Sequence, residues 1–408
     1  MKRLTGILLL LCLALAAVSC KGSGEERSHV LKIYNWADYI DEDVLAEFPD
    51  WYKQQTGEDI RLVYQVFDIN EIMLTKIERG HEDFDVVCPS EYIIERMLKK
   101  DLLLPIDRNF GKTPDYLPNI SPYIRRELNK TSQPGRTTTD YAVPYMWGTA
   151  GILYNRSFIT PDEAGSTVTV EQLMNDNSPE AIALAEKYLK ALKPNISGWE
   201  ADFGKEMMTK NKTWLNLTWS GDAVWAIDEA EAVGVDLAYE VPREGSNIWY
   251  DGWVIPKYAR NPKAASYFIN YLCQPEIALR NMDAIGYVSA VATPEIMEAK
   301  RDTSIETRSD LSYFFGEGMG ADSLQINPVQ YPDRKIVERC AMIRDFGDRT
   351  ELVLEMWSRV KGDNLNTGIV LLIFSVFGAL FVWLVYGKIR KYRQKQRHRR
   401  RRKGRPAI

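Results

Sequence analysis

Twenty consecutive residues, Thr367 to Tyr386, carry no charged side chain. As a helix such a run reaches across a hydrocarbon core of about 30 Å, so the globular body before it is expected to lie on one side of a membrane. Trp383 and Tyr386 stand at its far end, where aromatic rings favour the interface, and from Lys388 onward twelve Lys/Arg follow with no Asp or Glu. Positive residues beside a span mark the cytoplasmic side. This predicts a transmembrane helix over 367–386, a basic cytoplasmic tail over 387–408 and a body outside the cytoplasm. The run Arg399 to Arg402 adjoins the span, so it reads as a topology and anionic-lipid signal rather than an RNA site.

The other end agrees. Lys2 and Arg3, an apolar stretch from Ile7 to Ala17 and the small Ser19 make residues 1–19 a secretory signal. A small residue followed by Cys20 is similar to a lipoprotein signal, with Cys20 as the lipidated N-terminus and the polar residues 20–28 as a tether. With the twelve tail cations, Lys2 and Arg3 set aside, 38 basic residues face 56 acidic ones, leaving the central part of the chain near −18; the body is taken as 29–362. Such a body repels nucleic acid and attracts cations. Three cysteines, Cys88, Cys273 and Cys340, fall in it. They allow one disulfide at most, and without a CxxC they give no zinc ribbon or thioredoxin-type site, so they read as buried thiols.

Within the body, β-rich runs alternate with helical spacing. Strands are expected at Val30–Trp36, Ile60–Phe67, Phe84–Cys88 and Tyr141–Tyr154, with helices at Asp43–Gln55 and Asn70–Arg79. The pattern restarts with strands at Trp214–Trp219, Val235–Glu240 and Trp249–Ile255, and helices at Pro179–Leu192, Asp222–Val233, Pro262–Leu272 and Glu351–Val360. This is the alternation of α/β sheets covered by helices, in two units. Ligands in such folds sit beyond the carboxyl ends of strands. The stretch from Gly111 to Thr139, rich in Pro, Asn, Thr and Ser, reads as a surface loop, and Gly316, Gly318 and Gly320 as a turn.

Several chemistries lack their residues. His29 and His81 are the only histidines in the body, which disfavours a catalytic triad or a multi-histidine metal site. Gly111-Lys112-Thr113 mimics the end of a phosphate loop, but Ile106 stands where its first glycine is needed and Pro114 follows. No cofactor or metal is expected.

What remains is a recurrent pairing of aromatic rings with acids or small polar residues at strand ends: Tyr34 to Tyr39, Pro89 to Tyr92, Tyr145 to Gly148, Trp219 to Asp222 and Trp249 to Gly252. A ring face attracts an ammonium group and covers methylenes, and a carboxylate fixes a primary amine. Singly, a strand Trp is more often core and an Asp after a strand more often a helix cap. Five clusters at strand ends favour a groove for a flexible chain with cationic ends.

The chain resembles the extracytoplasmic polyamine-binding proteins of bacterial ABC transporters, the spermidine and putrescine receptors. The resemblance is carried by IYNWADYI (Ile33 to Ile40), FDVVCPSEY (Phe84 to Tyr92), VPYMWGTAGILYN (Val143 to Asn155), TWSGDAVWA (Thr218 to Ala226), DGWVIPK (Asp251 to Lys257), AIGYVSA (Ala284 to Ala290) and the closing WSRVKGD. It implies a type II periplasmic-binding-protein fold, two α/β lobes with a ligand cleft between them. Lobe 1 would span about 29–145 and 254–300, and lobe 2 about 148–250 and 305–362. Position by position it implies that Trp36 and Tyr39 line the cleft and that Asp38 meets one amine. Ser90, Tyr92, Trp219, Asp222 and Trp249 would contribute further contacts, with Asp251 as principal carboxylate and Tyr287 closing the pocket. The SGDAVW sequence around Asp222 is similar to the putrescine-preferring branch. One departure is expected to matter: between Asn155 and Glu171 the strand and turn that usually bring an acidic pair to the ligand are missing.

The resulting expectation is a membrane-anchored receptor that hands a polyamine to an ABC permease and performs no catalysis. Its rivals are the same fold binding another organic cation or a metal complex, an extracellular hydrolase using a carboxylate pair, and a protein that has lost binding with the missing element.

Overall fold

The computed structural model describes residues 27–159, 174–199, 203–362, 374–383 and 385–388. The signal, Cys20, most of the tether, residues 160–173, which hold most of the stretch where an element is expected to be missing, and the tail beyond 388 lie outside them. So do 367–373 and 384 of the expected span. The remainder of that span is helical, and no helix among the described residues is long and apolar enough to cross a membrane.

In chain order the elements are β1 (Val30–Trp36), α1 (Glu42–Thr56), β2 (Arg61–Phe67), α2 (Asn70–Glu78), β3 (Val86–Val87), α3 (Glu91–Lys99), β4 (Leu103–Leu104), α4 (Pro122–Leu128), β5 (Ala142–Asn155), α5 (Pro179–Leu192), α6 (Gly204–Thr209), β6 (Leu215–Trp219) and α7 (Ser220–Ala232). There follow β7 (Leu237–Glu240), β8 (Ile248–Pro256), α8 (Pro262–Leu272), α9 (Pro275–Ile285), β9 (Val288–Ser289), α10 (Pro294–Ala299), α11 (Ser312–Phe315), α12 (Arg334–Val337) and α13 (Thr350–Gly362). They form two compact units, one within 1–176 and 200–347, the other within 177–199 and 348–408.

The larger unit is built on one sheet with the order β2-β1-β3-β8-β5-β6, β4 adding to β8, and β7 and β9 adding to β5. β1 is parallel to β2 and β3, joined through helices as parallel strands require, whereas β8 runs antiparallel to β3 and β5. The long β5 changes partners half-way. Ala142 to Thr149 pair with β8 and β9, and Ala150 to Asn155 pair with β6 and β7. One continuous strand therefore serves two regions of sheet.

Caps fix the helices locally. The Asp41 carboxylate accepts the Asp43 amide at the start of α1, and Gly57, with φ 78°, ends it in the left-handed conformation. Asn261 accepts the Ala264 amide at the start of α8. Buried Asp85 accepts the Lys32, Arg260 and Asn261 amides and pairs with Arg27. Arg27, read from sequence as tether, is thus docked onto the first strands. Two large clusters pack the sheet's faces, one around Leu31, Ile33, Trp147 and Trp253, the other around Tyr34, Met73, Ile94 and Val254. Each fully buried side chain of this size contributes on the order of 2–3 kcal/mol.

The stretch 111–139 corrects the sequence reading. Leu117, Ile120, Ile124 and Leu128 enter these cores, and the Thr131 and Thr138 hydroxyls satisfy each other inside. Its polar composition masked an α4 whose apolar residues recur at helical spacing. Gly316, Gly318 and Gly320 form the expected turn, all at positive φ. The three body cysteines are free thiols, Cys88 and Cys273 buried and Cys340 half-buried.

In the smaller unit α5 and α13 pack through Ile182, Met356 and Val360, with Arg359 bidentate on Glu186 and the Lys193 ammonium on the Val360 carbonyl.

Candidate functional site

Every residue of β8 is buried, because the strand is central in the sheet. A carboxylate in its middle is therefore conspicuous. Asp251 is 7 % exposed. Opposite it the β5 register slips between Pro144 and Met146. Proline has no amide hydrogen to give the ladder, and a local bulge re-aims the side chains around it.

One Asp251 oxygen accepts the Tyr39 hydroxyl at 2.9 Å, while Oδ1 is buried with no partner. Burial pushes the Asp251 pKa up to about 6 against the lowering pull of the neighbouring Ser90 and Tyr39 hydroxyls. A desolvated carboxylate with an unmet oxygen is costly, and a cation with N–H donors would relieve it.

From this carboxylate a row of rings leads away. Tyr39 meets Tyr287 edge-on at 5.7 Å, Tyr287 meets Trp249 at 5.4 Å, and Trp249 meets Trp219 at 6.0 Å. The Tyr145 hydroxyl donates to the Tyr39 carbonyl and anchors that end. Two glycines let the row close up. A Cβ on Gly221 would lie 2.5 Å from the Tyr287 ring, and one on Gly148 would lie 2.9 Å from Trp249 and 2.5 Å from the Ser220 hydroxyl oxygen. The Trp249 indole N–H is buried without a partner, a second polar atom left unmet in the row.

Of the residues expected from sequence, Tyr39, Asp251, Tyr287, Trp249 and Trp219 are brought together, and Ser90 bridges Asp251 across the strands. Tyr92 stands one link further out: Asn70 donates to both the Ser90 and Tyr92 hydroxyls, and the Tyr92 hydroxyl donates to Glu71. Trp36 packs on Phe67 at 4.5 Å, outside the row of ring contacts, and its indole N–H is buried without a partner. Asp38 lies exposed at φ 50° in the turn after β1. Asp222, in the first turn of α7, already holds the Lys205 ammonium at 2.8 Å.

Sequence reasoning passed over Glu91, one turn from Glu95 on α3. It is buried and accepts the Tyr250 amide at 3.1 Å, holding β8 beside Asp251. Burial raises its pKa to about 8; the Tyr250 amide opposes this, and the nearby Asp251 charge adds to it. The available signal was an acid at the start of a helix directly after a cleft residue. Lys205 gave no sequence signal, since its partner is 17 residues away. Among the described residues no group of three or more His, Cys, Asp or Glu could hold a metal ion.

The chain is similar to several known proteins. The family described as bacterial extracellular solute-binding protein matches residues 169–300. The putrescine-binding periplasmic protein of Escherichia coli is 29 % identical over 330 residues, covering 71 % of this chain and 85 % of its own length. The putrescine-binding periplasmic protein of Pseudomonas aeruginosa is 26 % identical over 403 residues, covering 88 % and 99 %. Among solved structures, the spermidine/putrescine ABC transporter substrate-binding protein of Streptococcus pneumoniae superposes with a TM-score of 0.59 at 28 % identity, covering 82 % of this chain and 99 % of that one. The α/β fold is of the periplasmic-binding-protein type, and these relatives are binding proteins.

Proposed function

We propose that this chain, which is similar to the bacterial extracellular solute-binding proteins over residues 169–300 and to putrescine-binding periplasmic proteins, is a receptor for a polyamine of the putrescine or spermidine class, delivering it to an ABC permease for uptake. The observation that carries the reading is the buried Asp251 with its unmet oxygen at one end of the ring row Tyr39, Tyr287, Trp249 and Trp219. An ammonium would seat on Asp251, and the methylenes that follow would lie along ring edges and faces. The strand that changes partners, β5, offers a route between two lobes, and a ligand touched from both would favour their closed arrangement.

The receptor is placed on the outer side of the cytoplasmic membrane. Lipidated Cys20 and a span over 367–386 would hold it there, with the basic tail in the cytoplasm. The twelve cations directly after an uncharged run support that orientation. Confinement beside the permease raises the effective concentration of each for the other.

Isothermal titration of the full-length protein in detergent with putrescine, spermidine and a set of other organic cations tests the reading. Saturable heat with at least one polyamine is expected. Heat from another cation class and none from any polyamine would overturn it.

A further inference from the structure

The second carboxylate near the ring row is not vacant. Asp222 follows Gly221, whose backbone lies against the Tyr287 ring, and Trp219 at the head of the same helix meets Trp249. The Asp222 side chain is 13 % exposed, and its Oδ1 lies 2.8 Å from the Lys205 ammonium, which α6 supplies. The same ammonium stands 5.4 Å from the centre of the Trp225 ring, one helical turn along α7. A primary ammonium held by a carboxylate beside an aromatic ring is the kind of pairing read above for a guest at Asp251, where the nearby rings are Tyr39 and Tyr287; here it is filled from within the chain. Glu206, the next residue on α6, is occupied by Lys210 at 2.8 Å, which leaves Asp222 as the partner that orders Lys205.

Building on the polyamine reading above, we propose that Lys205 is the specificity-determining residue of this site: a built-in competitor that holds Asp222 and so sets how strongly the site prefers a diamine over a monoamine. An ammonium on Asp251 meets a carboxylate with an open oxygen. A second ammonium reaching for Asp222 must displace Lys205, whose positive charge also repels it. A monoamine bears neither penalty. The pair is partly exposed and individually weak, so a diamine can displace it, and the preference is tuned rather than abolished.

Titrations of the full-length protein with putrescine and butylamine, which share a four-carbon chain, test this. Lys205→Met is expected to tighten putrescine about tenfold while leaving butylamine within about twofold. Lys205→Arg, which keeps the charge, should retain the parent ratio. The gain should vanish in Lys205→Met/Asp222→Asn, since it comes from freeing that carboxylate. Circular dichroism and thermal melting would establish that each variant is folded. A putrescine-to-butylamine ratio unchanged by Lys205→Met, or a gain that persists without Asp222, overturns the proposal while leaving the polyamine reading intact. Absence of binding by either amine, and by spermidine, in the parent protein and every variant overturns both.

Discussion

Two buried glutamates on one helix, a single turn apart, meet opposite fates. Glu95 is enclosed by its own chain: Arg344 grips it with two bonds of 2.8 and 3.1 Å, the Asp345 amide donates at 3.0 Å and Lys99 lies at 3.1 Å. Asp345 is held in turn by Arg96 at 2.7 Å. Burial alone would raise the Glu95 pKa, but Arg344, the Asp345 amide and Lys99 hold it below the ordinary carboxylate range. Among the described residues Glu91 meets the Tyr250 amide and no cation, and its neighbour Asp251 meets the Tyr39 hydroxyl and keeps an open oxygen; burial raises both pKa values. The same side-chain chemistry is a finished structural tie where cations come from within the chain, and an unfinished site where they do not. A buried carboxylate without a cation is an invitation to one from outside.

The largest expected effect breaks the unfinished side. Asp251→Ala should weaken polyamine binding by about 2–5 kcal/mol, the cost of truncating one partner of a buried charged pair. It should leave the unfolding midpoint in urea unchanged or higher, since it removes an unsatisfied buried charge. Unchanged affinity by calorimetry would mean that the ligand carboxylate lies elsewhere.

Breaking the finished side should do the reverse. Glu95→Ala is expected to destabilise the protein by about 2–4 kcal/mol, somewhat below a fully buried pair because Arg344 and Lys99 are each 37 % exposed. Polyamine affinity should change little. Urea unfolding and calorimetry on the same preparation would separate the two effects, and equal losses in both would erase the distinction drawn here.

The smallest effects sharpen the comparison through pH. With Asp251 near 6 in the empty site, a bound ammonium must displace a proton at lower pH. Affinity should then be level above about pH 6.5 and fall about tenfold per unit below pH 6. Stability of the unliganded protein should run the other way. Both raised carboxyls bind more protons folded than unfolded between about pH 4 and 8, so stability falls as pH rises through that window, by at most about 1.4 kcal/mol per unit for each group while it titrates. Glu91→Gln keeps an acceptor for the Tyr250 amide and should flatten the slope above about pH 6, measured by thermal melting across pH. A slope that Glu91→Gln leaves intact would assign the titration to other groups.

Much of this was legible in the chain. β1, α5 and α8 fall on their expected bounds because alternation, helical spacing and capping residues act over a few neighbours. Asp251, Tyr39 and Trp249 could be singled out because acids and rings cluster at strand ends, and Tyr287 through the resemblance to the polyamine-binding proteins. The core packing of 117–128 was not legible, since polar loop composition outweighed a short apolar repeat. Nor was the state of each carboxylate: Lys99, four residues on, is a local hint for Glu95, but Arg344 and the Asp345 amide that complete its pairing lie 249 and 250 positions away.

The sequence alone therefore determined the local elements, the acidic body between an apolar start and a basic end, and the set of ring and acid residues from which a cation site could be made. Only the tertiary structure decided which acids are already answered. Arg344 reaches Glu95 across 249 positions and Lys205 reaches Asp222 across 17, while among the described residues no lysine or arginine reaches Asp251. A carboxylate's charge state and its appetite for a partner depend on desolvation and on charges within a few ångströms, and those distances exist only once the chain has folded.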